Sequence, residues 1–297
     1  MTTSPDILCI GSVLWDVIGR SSRAMRQGSD VGGRITQLPG GVALNIAMTL
    51  MRFGLRPALL SAVGRDAAGD HLMAEIEALG LITEHLYRST DLPTDRYMAV
   101  EGANGLIAAI ADAHSLEAAG DKILTPLHDG TLGSTDAPFG GMIALDGNLT
   151  LSLLTHISSA PEFSAADLRV APASPGKAER LMPFLSHGRA TLYVNLEEAT
   201  LLCQSTFETA PQAAEGLLAR GASRVLVTDG GKTAAEGDAS GLRTATPPEV
   251  MVARVTGAGD TFMAAHISAE RCGATAQTAL QDALDAAARY VSGGSPR

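Results

Sequence analysis

Val255-Thr256-Gly257-Ala258-Gly259-Asp260-Thr261-Phe262 lies where a strand-like run, Val250 to Val255, gives way to a helix predicted from Thr261 to Arg271. Gly257 and Gly259 permit a tight turn and expose N–H groups at a helix N-terminus. There a phosphoryl oxygen gains both hydrogen bonds and the favourable end of the helix dipole. Asp260 would stand beside such an anion and could take the proton of an attacking hydroxyl while the phosphoryl group is held in line. An Asp in this place also serves as a plain helix N-cap, so the string alone leaves both readings open. Two rival glycine motifs fail. A dinucleotide fingerprint needs a third glycine where Phe262 stands, and Gly231-Lys232-Thr233 lacks the upstream glycine of a Walker loop because Leu226 occupies that position.

Upstream of this turn the chain alternates. Met142 to Asp146, Leu168 to Ala171, Thr191 to Asn195 and Arg224 to Thr228 read as strands separated by Ala-rich helices, the rhythm of a mainly parallel sheet covered on both faces. The first half begins the same way. Ile7 to Ile10 reads as a buried strand, Pro39-Gly40-Gly41 opens a helix over Val42 to Arg52, Ala58 to Val63 is the next strand and Asp70 to Leu79 the next helix. A hairpin, Arg96 to Val100 and Leu106 to Ala111, interrupts the alternation. With the irregular, glycine-broken ribbon after Ile10, it predicts a small β-sheet lid built from insertions at about 12–38 and 86–113. The fold class expected is a three-layer α/β/α unit spanning 1–297 with that lid attached.

Composition narrows the function. A net charge of −10 and a pI near 5.1 exclude a surface built to hold nucleic-acid phosphates, although a small anion can still be met locally. Hydrophobic residues make up 45% and aromatics only 4%, which suits helices on a sheet rather than an aromatic-rich sandwich. The three cysteines are scattered and fit neither a disulfide framework nor a thiolate metal site. The seven histidines show no ligand spacing. Met1 to Asp6 has no basic stretch and no apolar run reaches membrane-spanning length, so the cytoplasm is the expected address.

Thr256-Gly257-Ala258-Gly259-Asp260 resembles the C-terminal signature of the ribokinase/PfkB carbohydrate kinases. Other matches follow in the family's order. Gly40-Gly41 with Asn45, and Gly64-Arg65-Asp66 with Gly69, resemble the N-terminal glycine-rich signature; Asn195-Leu196-Glu197-Glu198 resembles its N-x-x-E element, and Thr228-Asp229-Gly230-Gly231 its nucleotide-binding turn. The resemblance implies an ATP-dependent kinase acting on a hydroxymethyl group of a sugar or nucleoside. It implies Asp260 as catalytic base, with the backbone of Gly257, Ala258 and Gly259 as anion hole. Asp16, Gly40, Gly41 and Asn45 would hold the substrate. ATP would be met by Asn195, Thr228, Gly230, Thr256, Gly257 and Gly259, and Mg²⁺ by Asn195 and Glu198 through water. A homodimer through the lid is implied as well, provided the lid's outer face is apolar.

Within the family, Pro39-Gly40-Gly41-Val42, Leu60-Ser61-Ala62-Val63-Gly64 and Pro172-x-Ser174-x-x-Lys177 are most similar to bacterial pseudouridine kinases, which adds Lys177 to the substrate residues, although Ala171 replaces the usual Asp. Tyr97 or Arg96 on the hairpin could stack on a planar base. One departure stands out: where the family commonly carries an Asp that supports a monovalent-cation site, this chain has Arg254, so no potassium activation is expected. Outside the enzymes, a sugar or nucleotide sensor on the same fold is the alternative, which the intact Gly-Ala-Gly-Asp argues against. Other kinases of the family, acting on ribose, inosine or adenosine, remain open.

Overall fold

The computed structural model describes residues 5–296. The first four residues of the leader reading lie outside that range. From the N-terminus, β1 (Ile7–Ile10) leads into β2 (Leu14–Arg20) and β3 (Arg34–Gly40), and α1 (Val42–Arg52) returns the chain to β4 (Pro57–Leu60). Then come β5 (Ala62–Gly64), α2 (Ala67–Ala78), β6 (Tyr87–Ser89), the hairpin β7 (Arg96–Gly102) and β8 (Gly105–Asp112), α3 (His114–Ala119) and α4 (Thr125–His128). The second half runs β9 (Met142–Asp146), α5 (Leu151–Ser159), β10 (Asp167–Ala171), β11 (Thr191–Asn195), α6 (Leu196–Cys203), α7 (Ala210–Ala219) and β12 (Arg224–Thr228). It ends with β13 (Ala234–Asp238), β14 (Gly241–Ala245), α8 (Ala258–Arg271) and α9 (Ala276–Val291).

The main sheet has the order β14-β13-β12-β11-β10-β9-β1-β4, parallel from β4 to β12 and closed at the far edge by the antiparallel β13 and β14. Parallel strands need cover on both faces, and the core divides accordingly. Leu8, Ile10, Leu145 and Val170 pack with α5, α6 and α7 on one side. Ile7, Cys9, Tyr193 and Leu226 pack with α1, α8 and α9 on the other. The strand order turns back at β1, between β4 and β9. Clefts at the C-terminal ends of strands beside such a reversal are the usual ligand edge of this sheet type.

Three expectations need correction. Val250 to Val255 is not a strand. The edge it would have occupied belongs to the β13–β14 hairpin. The segment runs irregularly with Met251 and Val255 outside, while the N–H groups of Ala253 and Arg254 donate to the Val291 carbonyl at the end of α9. The ribbon after Ile10 is more regular than its glycines suggested, for β2 and β3 pair antiparallel from Leu14 and Gly40 to Arg20 and Arg34. The lid is the sheet β3-β2-β7-β8. Its second segment starts at Arg96 rather than near 86, because β6 pairs with β5 instead.

Gly64, Asp66 and Gly69, matched above to a signature, have structural work. Asp66 caps α2 through the Gly69 N–H and holds the lid's root through both the N–H and the hydroxyl of Thr94. A side chain at Gly64 would strike the backbone of residues 92–94, and one at Gly69 the Gly64 carbonyl. Trp15, buried at the root of β2, donates its indole N–H to the Ala68 carbonyl at 2.9 Å.

Candidate active site

The ends of β1, β9, β10, β11 and β12, the turn before α8 and the inner face of the lid enclose a cavity of about 740 Å³. Asp16, Gly41, Asn45, Tyr97 and Lys177 line it on the lid side. Asn195, Glu198, Thr228, Gly230 and the Thr256-to-Asp260 turn line it along the sheet edge. Of the residues to which the family resemblance gave a catalytic, substrate, ATP or metal role, only Gly40 is absent from the wall. It sits behind Asp16, where a Cβ would collide with the carboxylate, so its role is clearance. Arg96 does not reach the cavity. In the β2–β7 pair Tyr97 stands opposite Asp16 and Arg96 opposite Trp15, and neighbouring residues of a strand face opposite ways.

Helix α8 begins at Ala258, three residues before the predicted start. Gly257 at φ +86° forms its N-cap, a conformation glycine tolerates, and a Cβ there would meet the Tyr290 hydroxyl. Gly259 and Asp260 therefore lie in the first helical turn, where N–H groups have no intrahelical acceptor. Ala258 is the exception within the expected anion hole, because its N–H donates to the Val255 carbonyl at 3.0 Å. The N–H groups of Gly257, Gly259 and Asp260 carry no such backbone bond.

Asp260 accepts a hydrogen bond from Asn45 Nδ2 at 2.9 Å. Burial raises its pKa to about 7. The Asn45 bond opposes that rise, and the negative charges of Asp146, Asp16 and Glu198 reinforce it. The side chain keeps access to the cavity, so water in the open site moderates the rise. Asp16 is raised to about 6 by burial and Glu198 to about 7, again chiefly by burial. Glu198 and Asn195 form a capping box at the start of α6: Asn195 Oδ1 accepts from the Glu198 N–H at 2.9 Å, and Glu198 Oε2 accepts from the Asn195 N–H at 2.8 Å. Asn195 and Thr228 are register partners on β11 and β12, which sets both at the same level of the sheet edge.

Ser12, Asp146 and Asn148 escaped the sequence reading. Asp146, fully buried at the end of β9, accepts from the Ser12 N–H at 2.7 Å, the Ser12 hydroxyl at 2.8 Å and the Ala43 N–H at 3.2 Å. The Ser12 hydroxyl also receives the Val42 N–H at 2.8 Å. Helix α1 has no cap from its own Gly41, so these two side chains satisfy its first N–H groups from neighbouring strands. Burial raises the Asp146 pKa against those hydrogen bonds. Asn148 Nδ2 donates to the Ser12 hydroxyl at 3.0 Å and its Oδ1 accepts from Lys177 at 2.5 Å, so a connected polar wall runs from Asp146 to Lys177. The signal was there in Asp146-Gly147-Asn148, polar residues at a strand end, but nothing local showed that Asn148 would reach the cavity wall or Asp146 the start of α1.

A site with a carboxylate at a glycine turn, facing a covered cavity, is chemically suited to group transfer onto a hydroxyl. The profile of the pfkB family carbohydrate kinases matches residues 4–296. The chain belongs to the PfkB family of carbohydrate kinases. It is similar to the pseudouridine kinase of Escherichia coli (strain K12), 27% identical over 266 residues that cover 87% of this chain and 81% of that one. It is likewise similar to the guanosine-inosine kinase of Exiguobacterium acetylicum, 27% identical over 298 residues, covering 96% and 94%. In structure it resembles an Arabidopsis thaliana ribokinase complexed with ribose and ATP, with a TM-score of 0.76 at 19% identity, covering 99% of this chain and 95% of that one. This PfkB-family protein is thus a phosphotransferase with an alcohol acceptor, on a ribokinase-like fold.

A magnesium ion fits the residues present. Asp16, Asp260 and Glu198 supply hard oxygen donors in one cavity, and the charges of Asp146, Asp16 and Glu198 add to the burial that raises the Asp260 pKa. Asn195 and Glu198 would hold the ion, with Glu198 Oε2 and Asn195 Oδ1 already engaged in the cap. When bound, the ion would neutralise phosphate charge during transfer. No helix among the described residues is long and apolar enough to cross a membrane.

Proposed function

We propose that this PfkB-family kinase phosphorylates the 5′-type hydroxymethyl group of a nucleoside, with pseudouridine as the leading substrate, ATP as donor and Mg²⁺ as the accompanying ion. The observation that carries the proposal is Asp260, raised in pKa and held by Asn45 at the start of α8, inside a cavity roofed by Tyr97. A base with a pKa near 7 is suited to take a hydroxyl proton at neutral pH. In the transfer, the acceptor oxygen forms its bond to the γ-phosphorus as the bond from that phosphorus to the bridging oxygen breaks. The proton passes to Asp260, and the leaving phosphate oxygen stays with ADP. The N–H groups of Gly259 and Asp260 stabilise charge on the transferred group. Closure of the lid excludes water, which favours transfer over hydrolysis.

A nucleoside is favoured over a free sugar by the wall beyond Asp16. There the aromatic ring of Tyr97 and the Lys177–Asn148 pair offer stacking and donor and acceptor groups that a pentose alone would leave unused. Similarity to two nucleoside kinases points the same way. The cytoplasm and a homodimer through the lid complete the proposal. The test is ADP release from ATP-Mg²⁺ with pseudouridine, uridine, inosine, adenosine, ribose and fructose, beside Asp260→Asn. Turnover of pseudouridine above the rest, absent in the variant, is expected. Preference for inosine or adenosine would replace the substrate and keep the chemistry. Ligand-induced thermal shifts without turnover would favour a sensor.

A further inference from the structure

On the face of the molecule formed by α4, α5 and the turn after α5, two imidazoles meet one carboxylate. His128 Nε2 lies 3.0 Å and His156 Nε2 3.3 Å from the same Oε1 of Glu162. All three potential ligand atoms fall within 4.8 Å of one another. None of the three lines the active-site cavity. We propose that His128, His156 and Glu162 form a site for a divalent transition ion of the zinc class.

Ligand chemistry and geometry support it together. Two imidazole nitrogens and one carboxylate oxygen are a characteristic donor set for zinc, with water completing the coordination. At metal–ligand distances of about 2.0–2.1 Å, neighbouring ligand atoms of a tetrahedral site are about 3.3 Å apart. The two observed nitrogen-to-oxygen separations already stand at that spacing.

The framework is rigid. Each ligand adjoins a fully or almost fully buried residue in sequence, Leu127 before His128, Ile157 after His156 and Phe163 after Glu162. The His156 ring also meets Phe163 edge-on, with centroids 6.3 Å apart. Glu162 is itself buried, with 9% of its side chain exposed, and among the described residues no Lys or Arg is paired with it. The two histidines retain 36% and 44% of their side-chain exposure, which leaves a route for an ion and for a water ligand. A bound ion would tie α4, in the connection from lid strand β8 to β9, to the helix layer over the main sheet.

Zinc titration calorimetry on the chelator-treated chain in excess Mg²⁺ tests this, comparing wild type with His128→Ala/His156→Ala and with Glu162→Gln. Far-UV circular dichroism checks that each variant folds, and X-ray absorption at the zinc edge identifies the ligands. One zinc per chain with imidazole scattering is expected, weakened on the order of 100-fold or more by either variant. Folded variants that bind zinc as wild type does would overturn the proposal, as would a wild-type chain that binds none. A zinc spectrum without imidazole would assign the ion to the active-site carboxylates and overturn it equally.

Discussion

Asn45 Nδ2 donates to Asp260 Oδ2 across 2.9 Å, joining two residues 215 positions apart at the N-terminal halves of α1 and α8. The bond orients the base and lowers its pKa, while burial raises it to about 7. Protonated Asp260 cannot accept a hydroxyl proton. The expected kcat/KM therefore falls below about pH 7 and levels off above it. Asp260→Asn is expected to reduce turnover by ~10²–10⁴-fold. The same shift bears on stability. The folded state holds the proton more tightly than the unfolded one between about pH 4 and 7, so this group's contribution to stability decreases as pH rises through that window. Asp260→Asn should consequently be more stable than wild type at pH 8, by about 1–2 kcal/mol after allowing for water in the cavity, with the gain shrinking toward pH 4. A variant that is active, or less stable at pH 8, contradicts this account.

Glu198 presents a sharper separation of cap from cation. Glutamine preserves a capping box, so Glu198→Gln should change the melting temperature little while removing the charge that faces the cavity. Its raised pKa of about 7 means that acid removes the charge in wild type too. Mg²⁺ titrations of the rate should show half-saturation rising from pH 8 to pH 6 in wild type. In Glu198→Gln it should be already about tenfold higher at pH 8 and less dependent on pH. Equal half-saturation in the two proteins would remove Glu198 from the cation site.

Much of this arrangement was legible in the sequence because it is local. The Thr256-to-Asp260 turn, the strand-end Asn195 and Thr228, and the Gly-Gly opening of α1 are short motifs whose residue types constrain their own backbone. What escaped depends on distant packing. Val250 to Val255 has the apolar character of a strand, yet another hairpin holds the sheet edge. Asp146 looked like the end of a strand, and only the fold shows it capping the start of α1 through Ala43, 103 residues earlier. His128 and His156 have no ligand spacing as a string, but α4 and α5 bring them to one carboxylate.

Arg254 occupies the ground beneath the anion turn. Its Nε donates to the Tyr290 carbonyl at 2.9 Å and its Nη2 to the Gly294 carbonyl at 3.2 Å, and its guanidinium carbon lies 3.8 Å from the Tyr290 ring centroid. The Tyr290 hydroxyl in turn donates to the Thr256 carbonyl at 2.9 Å. The guanidinium thus fixes a positive charge and two backbone carbonyls beside the Thr256-to-Asp260 turn, and we expect it to stand in for a monovalent cation there. Initial rates should be equal in potassium and in tetraalkylammonium buffers, and Arg254→Ala should lose about 1–2 kcal/mol of stability. Strong potassium stimulation of wild type would refute the substitution of guanidinium for ion.

Tyr97 stands opposite Asp16 on the lid's inner face, so the two side chains share one stretch of the cavity wall, where we expect the ring to cover the bound substrate. If that is a nucleoside, loss of the ring removes a stacking contact worth about 1–3 kcal/mol. Tyr97→Ala should then raise KM for the nucleoside roughly tenfold or more while leaving that for free ribose nearly unchanged. Equal changes for both would assign the ring to sheet packing alone.

The lid's other face bears on assembly. Ladder partners share a face, so Val17, Met98 and Ile110 project away from Asp16 and Tyr97, as do Ile35 and Val100 one rung further out. Ile35 and Ile110 are 77% and 62% exposed, and β8 is an exposed edge strand along its whole length. Contiguous apolar side chains on an unpaired edge are a liability unless another surface covers them. A second copy presents the same apolar face with matching strand ends and would shield both edges at once. Light scattering should give a mass near twice 30.6 kDa. Ile110→Glu should reduce it to the single-chain value without unfolding the main sheet, because β8 contributes nothing to the sheet that carries Asn195 and Thr228. A wild-type mass of one chain would show that the lid face serves substrate closure alone.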